Sequence, residues 1–140
     1  MASVHDVVAY LLTKQGTLPV MRVQKLCYLS LIHYVGLDGS RLFPEPFEAW
    51  CHGPACRELY DSYKGQFKLD TWQHGGASIE NLSSEEVEAI DFVINRYGNF
   101  SGQALFDHLL IDRGWLRARK GLLHSERGNN EIDISIYYPC

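Results

Sequence analysis

Cys51, His52 and Cys56, with Cys27 upstream, are the residue types that could hold a metal, because thiolate and imidazole are the usual ligands of zinc. Their spacing argues against it. A zinc knuckle sets two ligands across a short turn and then repeats the pair, and no second pair follows here. Cys27 and Cys56 also fall on apolar helix faces, where a free thiol packs as a small hydrophobe. No metal and no cofactor are expected. Acid–base chemistry fares no better: the six histidines are scattered, with no His-Glu-x-x-His element, no paired His-Asp and no serine elbow. His33 and His108 read as solvated or hydrogen-bonded helix residues. The glycines make no phosphate-cradling loop. The chain is not expected to be an enzyme.

Residues that could grip a partner are easier to find. Arg113, Arg117, Arg119, Lys120 and Arg127 stand against Glu126 alone between positions 113 and 127. Such a cluster could touch nucleic acid, an acidic protein, or the acidic turn of Glu85, Glu86 and Glu88. Aromatic interleaving is thin and the whole chain carries −4, so nucleic acid is not expected as the main partner. Phe92 points with Glu88, Asn95 and Arg96 by helical phase, away from the apolar face of its own helix. An outward aromatic is a natural interface anchor. Phe92, Arg113, Arg117 and Arg119 are therefore the candidate partner-binding residues. Lys25, at the border of an apolar arc, is expected to pair with Glu48 or Glu58 and to act structurally.

The elements that position these residues follow from periodicity. Ser3 and Asp6 can cap a first helix with Val4, Val7, Val8, Leu11 and Leu12 on one face. Gly16 ends it, and Pro19 opens a second helix over about 19–37. Arg22, Lys25, Leu29 and His33 form a narrow strip on that helix, and almost all the rest of its circumference is apolar, which places it at the centre of a bundle. Gln24 and Ser30 lie inside the apolar arc and must find partners there. Residues 47–51 read as a short extended piece, and Pro54 as the start of a third helix carrying Leu59, Tyr60 and Tyr63. Between Gly65 and Gly76 only a weak alternation of Phe67, Leu69 and Thr71 suggests a strand. Ser83 and Glu86 cap a further helix, Ser101 caps the next, and Trp115 begins a short last one. Ile132, Ile134 and Ile136 alternate with polar neighbours, predicting a strand near 131–138.

At 140 residues, with 46% hydrophobic side chains, the chain suffices for one core and needs no disulfide or metal to fold. The fold class expected is mainly α: a single compact helical bundle over 1–140 with two small β elements. With no signal peptide in sight, the four cysteines read as reduced thiols of a cytoplasmic protein. The apolar run 20–35 is broken by Arg22, Gln24, Lys25, Ser30 and His33, so no membrane span is expected.

Met21-Arg22-Val23-Gln24-Lys25-Leu26-Cys27-Tyr28, then Phe47-Glu48-Ala49-Trp50, Gly53-Pro54 and Leu59-Tyr60, resemble the motifs of the Panacea domain, a family of phage- and mobile-element-associated proteins that includes many antitoxins. The resemblance continues through Leu82-Ser83, Glu85 and Glu86, Tyr97-Gly98, Ser101, Leu105, Trp115 with Ala118-Arg119, and Tyr137-Tyr138. Three positions depart from it: Ala55 stands for the usual Val, Leu109-Leu110 for a Thr-His pair, and Gly114 for a frequent Pro. The resemblance implies an antitoxin that neutralises a cognate protein toxin by direct binding, with delivery of the toxin to a protease as a second mode. An alternative is a phage-encoded regulatory or anti-defence protein that binds a host protein or nucleic acid. The motif positions Gln24, Lys25, Tyr28, Glu48, Trp50, Gly53, Pro54, Leu59, Tyr60 and Trp115 are expected to be mainly structural, with the Trp50 ring lying across the central helix.

Overall fold

The computed structural model describes residues 1–139. Its axis is helix α2 (Val20–Asp38), from which no side of the stretch 23–31 is left exposed. Helices α1 (Val4–Gln15), α4 (Ser84–Tyr97) and α5 (Gly102–Leu109) pack around it, together with a hairpin and the C-terminal segment. The expected mainly α bundle with a central apolar helix is the architecture found. Among the described residues, no helix is long and apolar enough to cross a membrane.

Local chemistry sets the helix ends. Ser3 and Asp6 form the capping box of α1, and Ser83 and Glu86 that of α4. The Asp6 carboxylate also accepts from Ser78 N and Asn81 Nδ2, both at 3.0 Å, which ties the 78–81 turn to the start of α1. Burial works to raise its pKa, but the hydrogen bonds from Ser3, Asn81 and Ser78 outweigh it and hold the carboxyl below its ordinary value. Pro19 precedes α2, and Gly39 ends it in the left-handed conformation (φ 81°). Both polar residues of the apolar arc are satisfied. Gln24 accepts from Cys56 N (2.7 Å) and donates to Cys56 O and Tyr63 Oη, while Ser30 donates back to Leu26 O.

The β content differs in detail from the periodicity. Strands β2 (Glu48–Trp50) and β3 (Gly53–Ala55) form an antiparallel hairpin with Trp50 opposite Gly53. Pro54 therefore belongs to a strand rather than opening a helix, and α3 (Arg57–Tyr63) starts three residues later. Gly53 absorbs the turn at φ 117°. In the weakly alternating region only β4 (Lys68–Leu69) forms, paired with β1 (Leu18–Pro19); Leu69 is buried and Phe67 exposed. The strand expected near 131–138 shrinks to one bridge, Glu131 to Glu48, flanked by the bonds Ala49 N to Asn130 O and Ile132 N to Phe47 O. After it the Asp133 side chain accepts from Ser135 N and winds Ile134–Tyr137 into a 3-10 turn. Ile132 and Ile134 remain buried, but Ile136 is only half-buried and Tyr137 packs inward instead, so the alternation reported burial correctly for its first two positions and conformation only at its start.

A buried polar knot closes the bundle. Tyr28 and Tyr137 each donate to Asp112, both at 2.6 Å, and Asp112 caps α6 (Arg113–Ala118) by accepting from Trp115 N. Gly114 N donates to Tyr137 Oη at 2.9 Å. Gly114 is required there by space: a Cβ would lie 2.9 Å from both Tyr137 Oη and Ile132 Cγ2. Trp115 is buried and its indole donates to Trp50 O at 2.8 Å, joining α6 to the hairpin.

Candidate functional site

Helices α2 and α4 lie side by side, and each turns one aromatic side chain outward at the same level. His33 leaves α2 on the strip that also holds Arg22, and Phe92 leaves α4 at the edge of its buried face of Ala89, Ile90 and Val93. The two rings stack at 4.1 Å with planes 5° apart. Phe92 nevertheless keeps 49% of its surface exposed. The partial cover it gives desolvates His33 and lowers the imidazole pKa.

The stacked pair forms a ridge between two hollows. One, of about 380 Å³, is lined by Tyr34, Leu37, Asp38, Glu85 and Glu88, so its rim is acidic. The other, of about 430 Å³, is lined by Leu29, Ile32, Tyr97 and Ile111, with one carboxylate, Asp112, and one guanidinium, Arg113. Arg113 leads on to a shallow apolar hollow with Leu116, Arg117 and Ile136. Leu37, Ile111 and Leu116 are exposed to 68%, 75% and 48%, which makes this face apolar along its length with opposite charge at its two ends. Exposed apolar side chains grouped on one face and rimmed by charge are a form that protein-contact surfaces take.

The structure thus brings Phe92, Arg113 and Arg117 onto one face. It excludes Arg119 from it. Arg119 is 5% exposed and its guanidinium donates to the backbone carbonyls of Ala49, Leu123 and Glu126, while lying over the Trp115 ring at 5.2 Å. It is the post around which residues 119–128 wrap, not a binding residue. The contribution of His33 went unread because one histidine on a helix carries no signal by itself. The helical phases of His33 and Phe92, both outward on what prove to be adjacent helices, were the available clue.

Two other expectations change. Lys25 pairs with neither Glu48 nor Glu58: Glu48 accepts from Arg57 at 3.0 Å and Glu58 meets His5 at 2.9 Å. The Trp50 ring is half-buried and turned outward, between the Arg57 guanidinium (4.9 Å) and the edges of Tyr60 and His52, with its indole donating to Glu48. It does not lie across α2. Among the other motif positions, Gln24, Tyr28, Gly53, Pro54, Leu59 and Trp115 are buried and act within the fold, as described above.

Among the described residues, the grouping with metal-like spacing is His5, Glu58 and His74, not the cysteines. Cys27 and Cys56 are buried, and burial pushes both thiols up, Cys56 to about 11. At His5 the hydrogen bonding runs against ligation. Trp72 Nε1, a donor only, points at His5 Nδ1 from 3.1 Å, so that nitrogen must present its lone pair and Nε2 must carry the proton it gives to Glu58. A metal on Nε2 would need the proton on Nδ1, facing the indole N–H. Ligating histidines donate from their second nitrogen; this one accepts. His5 and Glu58 form a hydrogen-bonded corner, with His74 Nε2 4.0 Å from the same carboxylate.

No curated protein and no solved structure matches the chain. The family model described as antitoxin SocA-like, Panacea domain, matches residues 23–115, a stretch that begins within the central helix, includes the Phe92 ridge and ends on the buried Trp115. The chain belongs to the SocA-like antitoxin family of Panacea-domain proteins.

Proposed function

We propose that this protein is a non-enzymatic antitoxin that neutralises a cognate protein toxin by direct binding, and that the Phe92 face is its grip. Membership of the antitoxin family supports the role. The stacked Phe92–His33 ridge, raised between an acidic hollow and a largely apolar one that leads to Arg113 and Arg117, is the observation that carries the location. A half-exposed aromatic held rigid by a stacked partner loses little freedom on binding, and such anchors dominate interface energetics. The two hollows accept apolar side chains on either side of it. The charges favour a partner with basic groups facing Asp38, Glu85 and Glu88 and acidic groups facing Arg113 and Arg117. An ordinary interface, burying about 1,600 Å² in all, would cover this face.

Co-expression with the product of the neighbouring gene tests the role. The expected result is a neighbour that arrests growth alone and is harmless beside this protein; a harmless neighbour, or one still toxic in its presence, ends the antitoxin reading. Phe92→Ala and Arg113→Glu test the location, and each should weaken toxin binding at least tenfold with melting unchanged. Toxin abundance separates modes: sequestration leaves it constant, whereas delivery to a protease lowers it.

A further inference from the structure

A second site shares no residue with the Phe92 face. A cleft of about 580 Å³ opens between the β2–β3 turn and residues 127–129, lined by Trp50, His52, Arg57, Tyr60 and Arg127. This is the size of a small-ligand site. One wall is flat and π-rich, with the Arg57 guanidinium stacked over the Trp50 ring and Tyr60 edge-on to it at 5.2 Å. Flat rings of this kind, and the guanidinium plane itself, are platforms for a planar ring.

The charge in the wall is unbalanced. Glu48 is spent on Arg57 and on the Trp50 indole. Arg127 is exposed and enters no ion pair among the described residues. Behind the turn lies Lys25, 2% exposed, making neither a hydrogen bond nor an ion pair with any described residue. Its Cε and Nζ lie 3.6 and 3.8 Å from where a Cβ on Gly53 would stand. Its field reaches the cleft: after burial, the Lys25 charge is the next cause of the lowered His52 pKa. A buried ammonium with no counter-charge is costly in a fold that gains nothing from it. Beside a cleft already carrying Arg57 and Arg127, it supplies positive potential that an anion would complete.

We propose that this cleft binds a phosphate group carried on a planar ring, a ligand of the mononucleotide class, with the ring on the Trp50–Arg57 stack and the phosphate drawn to Arg127 and His52 by Lys25 behind them.

Adenosine monophosphate, adenosine and inorganic phosphate serve as probes, each titrated calorimetrically and by tryptophan fluorescence against the wild type, Arg127→Ala and Lys25→Met. The expected result is saturable binding of the monophosphate, at least tenfold tighter than adenosine or phosphate alone and weakened by added salt. Arg127→Ala should reduce its affinity about tenfold with unchanged melting, because that side chain is exposed and makes no hydrogen bond or ion pair among the described residues. Lys25→Met should reduce it at least as much in a protein that still melts cooperatively. No binding at millimolar monophosphate, or binding indifferent to both substitutions, overturns the proposal. Phosphate binding as tightly as the nucleotide overturns the role of the stacked wall. Toxin neutralisation is read in a separate experiment, so either reading can fail without the other.

Discussion

Lys25→Met should make this protein more stable, and more so at neutral than at alkaline pH. The amine titrates at about 8 in the fold, lowered by burial from its ordinary 10.5. At about 1.4 kcal/mol for each pKa unit, holding the ammonium in the fold costs about 3 kcal/mol. The folded chain releases this proton first, so between about pH 8 and 10.5 the unfolded chain holds more protons, and stability rises with pH through that window. Below it the full penalty applies. About 2.5 kcal/mol should be recovered between pH 7 and 10. Methionine fills nearly the same volume without a charge and has nothing to recover. Its tyrosines and other groups titrate as in the wild type and cancel when the two proteins are compared. Urea denaturation of both at pH 7, 8.5 and 10, under reducing conditions, measures the effect. The variant should lead by about 2–3 kcal/mol at pH 7 and by less than about 1 kcal/mol at pH 10. Parallel pH profiles, or a variant less stable than the wild type at pH 7, would refute the reasoning and reveal an unrecognised partner for the lysine.

Gly114→Ala should destabilise by about 1–3 kcal/mol in urea melts, because its methyl group has no room beside Tyr137 and Ile132; adding Tyr137→Phe should give a double variant less damaged than the two losses summed, and strict additivity would contradict the clash. Trp115→Ala should cost about 3–5 kcal/mol and Trp50→Ala, whose ring is half exposed, only about 1–2 kcal/mol; equal losses would mean that the outer stack is as structural as the inner ring. Equimolar zinc should leave the melting temperature unchanged, and a rise of several degrees that disappears in His74→Ala would show that the His5 corner rearranges to ligate.

The sequence by itself determined the long helices, the caps at Ser3, Ser83 and Ser101 and the inward faces, though not where α3 begins. Ser3 with Asp6 and Ser83 with Glu86 cap where their spacing says, because a cap is a contact across three residues. The apolar circumference of residues 20–35 likewise required a central helix, since no other position could bury it. The family was legible in the motif Gln24 to Tyr28 and its successors, whose order along the chain survives without any geometry. Phe92 was legible as outward from phase alone.

What tertiary structure decided is which side chains meet across distant segments. Arg119 resembled its neighbours Arg113 and Arg117 as a surface cation until the 119–128 loop closed over it and its guanidinium met four backbone carbonyls. Glu48 was a plausible partner for Lys25 until the hairpin aimed it at Arg57, leaving the lysine unpaired. The His33–Phe92 stack joins residues 59 positions apart, and the tail departed from a strand because Asp133 captured the amide of Ser135. Periodicity records whether a position faces water, and it did so correctly for Ile132 and Ile134. It does not record the identity of a partner, because a hydrogen bond or an ion pair is fixed by where two chain segments cross, and that crossing exists only in the folded protein.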